Sequence, residues 1–344
     1  MKAIVYDAPR SFSYRDVAEP RIEDDEVLIR VRACGLCGTD LHIHEGEFGP
    51  RFPLIPGHEF AGEIVEVGKA AGNWQTGERV VANCNRACMQ CFYCRRGEHL
   101  RCENLLAYGI QMDGGFAEFM RVKARELFPV SGLPWREAVM VEPTACAVHG
   151  MDVLGVRPGS DVLMFGAGPT GQVLAQLLKR NGAARLTVAA PPGPKLALAE
   201  RLSADRVVAV DRHNPEAHRA ALRDISANGF DYVVEATGAP GMCAEAVRQT
   251  RRGGTVLIYG VYPESATFPV NPFDVFRREI TIKGSFAQIY DFGRALAYLE
   301  TGQVKVDQIV TDDFELKDWG SALEHAWQRK GIKSVIIPPE PSGG

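Results

Sequence analysis

The chain has 344 residues, 46% of them hydrophobic, with a net charge of −4 and a pI near 6.1. That length supports about two domains with substantial cores, and the mild acidity excludes a general nucleic-acid or membrane-surface binder. No apolar run approaches the roughly 20 residues of a membrane span, and the start MKAIVYDAPRSFSYRD has no apolar signal-peptide segment, so a cytoplasmic protein is expected.

The first 150 residues read as β-rich. EVLIRVRACG, GEIVEVG, ERVVANC and GGFAEFMRVKA alternate apolar and polar residues over short runs separated by glycines. From DVLMFGAG onward the character changes. PTGQVLAQLLKRNG has helical spacing, RLTVAA reads as a strand and KLALAERLSA as a helix. DRVVAV, FDYVVEATG, GTVLIYG and ITIKGSF follow as strands. Such alternation implies βαβ units and a parallel sheet, hence an α/β fold. DFGRALAYLETGQV and KDWGSALEHAWQRKG read as closing helices and KSVIIPP as a last strand, with EPSGG expected to fray.

Nine cysteines in a long chain without an export signal favour metal or catalysis over a disulfide framework. Five of them, Cys84, Cys88, Cys91, Cys94 and Cys102, fall within residues 84–102. Four thiolates at Cys88-x2-Cys91-x2-Cys94-x7-Cys102 suit a closed tetrahedral zinc, which stabilises a lobe but takes no substrate. Cys84 is then spare. An open site needs three protein ligands. CGLCGTDLHIH offers Cys34, Cys37, His42 and His44, PGHEFAG offers His58 and Glu59, and MVEPTACAVHG offers Glu142, Cys146 and His149. Spacing alone does not choose among them.

FGAGPTG follows a strand and opens a helix, which gives the G-x-G-x-x-G spacing of Gly166, Gly168 and Gly171 its meaning as a dinucleotide turn. The first glycine makes the turn, the second admits the pyrophosphate and the third packs the helix on the strand. Pro169 and Thr170 complete the cofactor-binding set here, with Thr237 after FDYVVEATG. The carboxylate that holds NAD ribose belongs about 20 residues on. No acidic residue lies between Asp161 and Glu200, and the position falls at Ala190, with Lys195 soon after. Missing repulsion toward a 2′-phosphate favours NADP over NAD.

The motifs CGLCGTDLH, PGHEFAGEIVEVG, the four-cysteine lobe, GGFAEF, VEPTACAVH and GAGPTG, in this order, resemble the zinc-dependent medium-chain alcohol and polyol dehydrogenases, the group of sorbitol, xylitol and arabinitol dehydrogenases and threonine dehydrogenase. The resemblance implies a GroES-like catalytic domain from 1–150 and 286–344, with its structural zinc lobe at 84–102, and a Rossmann domain from 151–285. It implies two zinc ions per chain, a catalytic one on Cys37, His58 and Glu142 and a structural one on the four lobe cysteines. Glu59 matches a glutamate that enters or leaves the metal shell, and Asp40 matches a partner that orients the ligating imidazole. Thr39 matches the hydroxyl that bonds the substrate alcohol, His42 the outer end of a proton relay, and Cys34 packs without binding metal. Homodimers or homotetramers are implied as well.

Gly38 and Glu142-Pro143 resemble polyol-type members. Ala287 and Gln288 stand where sorbitol dehydrogenases tend to have arginine and tyrosine. The expected substrate is therefore a small polyol such as arabinitol, xylitol or threitol, or its ketose. The alternatives are a threonine-type amino-alcohol or cyclitol dehydrogenase, and a metal- and nucleotide-binding sensor without turnover. Arg95, Arg96 and Arg101 lend the lobe some positive charge, but no basic face supports nucleic-acid binding.

Overall fold

The computed structural model describes residues 1–211 and 214–340; the expected fraying of EPSGG falls largely outside them. The chain forms two compact units, one from Met1–Ala145 and the segment from Gln288 onward, the other from Cys146–Ala287. Among the described residues no helix is long and apolar enough to cross a membrane.

The first unit is built on a seven-stranded sheet. Its path runs Val310–Glu315, Lys333–Ile337, Glu26–Leu36, Glu59–Val67, Arg79–Ala82 and Leu127–Pro129, with Phe119–Lys123 also paired to Glu26–Leu36. The central Glu26–Leu36 strand is buried along nearly its whole length, because EVLIRVRACGL carries β-branched and small residues that fit between neighbours. Its core joins Ile4, Val27, Ile29, Val31, Cys34, Phe60, Ile64, Phe116 and Trp319. Two short strands, Asn85–Arg86 and Leu106–Ala107, pair at the base of the cysteine lobe.

The second unit is a six-stranded parallel sheet in the order Arg206–Ala209, Ala183–Ala190, Ser160–Phe165, Phe230–Glu235, Thr250–Ile258, Thr281–Gly284. In chain order this is 3-2-1-4-5-6, the doubly wound order, and it reverses between Ser160–Phe165 and Phe230–Glu235. Val162–Phe165 and Leu186–Ala190 of two neighbouring inner strands are buried on both faces, as a parallel sheet covered by helices requires.

The expected strands and the four expected helices form, with shifted ends. Of the six helices among the described residues that went unassigned in the sequence, Gly38–Glu45, Trp135–Ala138 and Val141–Leu154 precede the parallel sheet, and three alternate with its strands: Pro215–Ile225, Pro240–Gln249 and Pro272–Arg278. Each of these three opens on proline in its first turn, where a missing N–H costs nothing. That is the signal that would have found them.

Candidate active site and metal centres

The helix Gly38–Glu45 starts at Cys37, whose N–H donates to Asp40 Oδ2 at 2.8 Å in a capping box. The cap fixes Cys37 at the helix mouth and turns Asp40 inward, where it is 1% exposed. Asp40 Oδ1 lies 3.8 Å from His58 Nδ1, too far for a hydrogen bond, and both atoms are buried without a hydrogen-bond partner. Burial pushes the Asp40 carboxyl up to about 6, against the pull of His58. Burial would depress His58, but hydrogen bonding with Cys37 and the charges of Asp40, Cys37 and Glu142 outweigh it and carry it to about 10. Anionic groups thus crowd one imidazole, an arrangement that a cation relieves.

One ligand atom each from Cys37, His58 and Glu59 lies within 4.8 Å of the others. Sulfur, imidazole nitrogen and carboxylate oxygen are a donor set that zinc accepts, so these residues fit the metal. The carboxylate of this trio is that of Glu59, whereas the family resemblance put Glu142 there. Glu142, at the start of the Val141–Leu154 helix, accepts a hydrogen bond from Cys84 at 3.7 Å. Cys84 therefore has a partner, and burial holds its thiol well above the ordinary range.

Glu59 also bonds Lys333, and both side chains are almost completely buried. Lys333 sits at the start of the Lys333–Ile337 strand, and sequence reading passed over it as the first residue of an apolar run. Gly35 makes room for the pair: a Cβ there would lie 2.1 Å from Glu59 Oε2 and 2.9 Å from Lys333 Cε. Cys34 is fully buried against Gly57 and Gly115 and lies outside the trio.

Thr39 and His42 are three residues apart on the Gly38–Glu45 helix, hence on one face, and both are partly exposed. Thr39 Oγ1 is 3.8 Å from Cys37 Sγ. His42 Nδ1 is 2.5 Å from Glu47 Oε2.

The four lobe cysteines present sulfurs within 4.8 Å of one another. Backbone N–H groups of Cys88 and Asn104 donate to Cys102 Sγ at 3.2 and 3.3 Å. Backbone hydrogen bonds, led by Gln90, pull the Cys88 thiol down, while burial pushes Cys94 up. The lobe has no apolar core: Met89 and Phe92 are exposed. Four converging sulfurs without a core fit a structural zinc.

In the second unit, Gly166 has φ 107, and a Cβ there would lie 2.7 Å from the Ala236 carbonyl oxygen. Gly168 caps the Pro169–Arg180 helix, and a Cβ there would meet nothing within 4 Å. Gly171 packs against the Gly166 carbonyl, and Thr170 lies in the first helical turn. A helix N-terminus thus opens onto free space, which suits a pyrophosphate. Thr237 N donates to Glu235 Oε1 at 2.7 Å, and its hydroxyl bonds the same oxygen. Buried Glu235 thereby orders the turn beside Gly166. Ala190 is buried at the end of the Ala183–Ala190 strand, and Lys195 lies in the first turn of the next helix, its carbonyl accepting from Gln172 Nε2 at 2.7 Å.

Comparison with known proteins agrees with this architecture. Residues 23–132 match the alcohol dehydrogenase GroES-like domain, and residues 169–301 match the zinc-binding dehydrogenase model. The chain is 45% identical over 339 residues to D-arabinitol dehydrogenase 1 of Uromyces fabae, covering 98% of this chain and 97% of that one. It is 36% identical to D-altritol 5-dehydrogenase of Agrobacterium fabrum over 85% of each. A zinc-binding dehydrogenase of Sinorhizobium meliloti 1021, solved bound to NADP, superposes with a TM-score of 0.92 at 32% identity, covering 98% of this chain and 99% of that one.

Proposed function

The chain belongs to the zinc-dependent medium-chain alcohol and polyol dehydrogenases, and on that premise we propose that it oxidises a secondary alcohol of a small polyol, D-arabinitol first among them, to the ketose, with NADP ahead of NAD as hydride acceptor. The observation that carries this reading is the Cys37–His58–Glu59 trio, ringed by Asp40, Glu142 and Lys333. A protein that only stored metal would have no use for so many buried charges around one ion.

Cys37, His58 and Glu59, with Glu142 in reserve, would hold one zinc, and the four lobe cysteines a second. When bound, the first zinc supplies Lewis acidity that makes an alcohol proton easier to remove, and the nicotinamide accepts the hydride. Asp40 faces His58 Nδ1 at 3.8 Å and acts on the imidazole through its charge, without a hydrogen bond. Lys333 balances Glu59 and allows that carboxylate to move between metal and lysine. Thr39 offers its hydroxyl to the substrate alcohol, and His42, on the same helix face, receives the proton. At Ala190 no carboxylate opposes a 2′-phosphate, and Lys195 lies close by in sequence.

Assembly into a homodimer or homotetramer fits the second unit. The Thr281–Gly284 strand is an open sheet edge, and Ile282, Phe273, Phe276 and Phe286 are exposed.

The test is reduced-nicotinamide absorbance with D-arabinitol, xylitol, sorbitol and L-threonine, each with NADP and NAD. The expected result is kcat/KM for D-arabinitol about tenfold above sorbitol and threonine, a difference of about 1.4 kcal/mol in transition-state binding. Turnover of threonine alone would replace the polyol reading with the amino-alcohol one.

A further inference from the structure

The Gly38–Glu45 helix ends by folding a carboxylate back onto its own histidine. Gly46, at φ 87, donates its N–H to the Ile43 carbonyl at 2.9 Å, and Glu47 donates its N–H to the His42 carbonyl at 2.9 Å. This left-handed closure satisfies the last carbonyls of the helix and reverses the chain. It leaves Glu47 Oε2 only 2.5 Å from His42 Nδ1.

Phe48 follows at φ 66, a left-handed conformation unusual for a bulky residue. Such a conformation persists only where the surroundings over-determine it. Here they do. The Phe48 ring stands edge-on to His42, with centroids 5.1 Å apart and planes at 76°. Its carbonyl accepts from Gln111 Nε2 at 2.8 Å, and Gln111 Oε1 accepts from the Ala107 N–H at 3.1 Å. One imidazole is thus held by a carboxylate and by a ring on a pinned turn. Its neighbour His44 is spent differently, bonded to the Tyr6 hydroxyl at 2.9 Å and stacked edge-on with Trp327.

A carboxylate only accepts, so Nδ1 of His42 carries the proton. We propose that Glu47 is the positioning residue of the proton relay: it fixes His42 as the Nδ1–H tautomer and leaves Nε2 as the proton acceptor. The inference rests on the relay role of His42 given above. In alcohol oxidation the proton released from the hydroxyl, by way of Thr39, ends on Nε2. An O–H bond breaks and an Nε2–H bond forms, while the electron pair of the C–H bond leaves with the hydride. The Glu47 carboxylate balances the imidazolium until Nε2–H gives its proton to water, which restores the starting tautomer.

The test compares Glu47→Leu, Glu47→Gln and His42→Ala in the zinc-loaded full chain, with D-arabinitol and NADP as probes. Glu47→Leu is expected to lower kcat about tenfold, with both KM values within about twofold. The remaining rate of Glu47→Leu should rise with imidazole concentration, as that of His42→Ala should. Glu47→Gln, which keeps size and a hydrogen bond but not charge, should fall between. A slow His42→Ala beside a Glu47→Leu of undiminished kcat would overturn the proposal and leave Glu47 as a turn residue. A His42→Ala of undiminished kcat would remove the relay itself, and the proposal with it. A second readout needs no turnover. In ¹⁵N-histidine-labelled protein the His42 signal, identified by its loss in His42→Ala, should report protonated Nδ1, and Glu47→Leu should shift it toward the other tautomer. An unchanged tautomer in Glu47→Leu would also overturn the assignment.

Discussion

Cys88, Cys91, Cys94 and Cys102 bring four like atoms from one short stretch, and the lobe around them has little else to hold it. Cys37, His58 and Glu59 bring three unlike atoms from two parts of the chain, His58 and Glu59 being adjacent, and buried polar groups lie beside them: Asp40, Lys333 and, beyond them, Glu142 bonded to Cys84. The first cluster would saturate a metal with identical ligands, which stabilises and does nothing more. The second would hold its metal beside a carboxylate that already has another cationic partner. In the proposed function Glu59 would serve zinc or Lys333, the choice that ligand exchange during turnover requires.

The comparison is sharpened first at the lobe. Cys91→Ser removes one of four equivalent ligands where no core can compensate, so it should lower stability by several kcal/mol. Thermal unfolding with and without a chelator measures this. Wild type treated with chelator should approach the variant's stability, and the untreated variant's turnover per folded molecule at low temperature should survive.

Lys333→Met comes next. Without metal it leaves Glu59 buried and unpaired, which costs about 3–5 kcal/mol. Urea unfolding of the zinc-free protein should show that loss, and added zinc should shrink it, because the metal then supplies Glu59 with a cation. A loss that zinc leaves untouched would break the idea of a shared carboxylate. Gly35→Ala should cost about 1–3 kcal/mol by overpacking the same pair, and it should depress turnover as well, since its Cβ meets Glu59 before anything else.

Much of this was legible in the sequence. FGAGPTG after a strand announced the turn at Gly166, and the lobe spacing announced four converging sulfurs. These signals are local, so a linear reading captures them. The choice of carboxylate was not local. Spacing alone does not separate the carboxylates: in the structure Glu59 lies within 4.8 Å of Cys37 and His58, while Glu142 accepts from Cys84 and its charge still acts on His58. Lys333 was hidden for the same reason: it lies 274 residues from Glu59, in a segment that reads as an ordinary strand. Glu47 carried a faint signal, a glycine followed by a carboxylate just past a helix that contains the histidine. The second unit's Pro215–Ile225, Pro240–Gln249 and Pro272–Arg278 helices were overlooked although each carries a proline at its start, where a helix tolerates it.

The smallest expected effect concerns the cofactor. A fluorescence titration should give NADPH binding about tenfold tighter than NADH, about 1.4 kcal/mol. Equal or tighter NADH binding would mean that other groups hold the ribose hydroxyls and that the missing charge at Ala190 decides nothing.

The division of labour between the two clusters is tested most directly by zinc content, thermal unfolding and turnover measured together on Cys37→Ser and Cys91→Ser. Both variants should lose about one zinc of two. Cys37→Ser should keep a melting temperature near that of the wild type and lose turnover by about a thousandfold or more, as loss of metal-assisted proton and charge stabilisation demands. Cys91→Ser should melt well below the wild type and still turn over while folded. Equal loss of folding in both variants, or a Cys37→Ser that still works, would contradict the account.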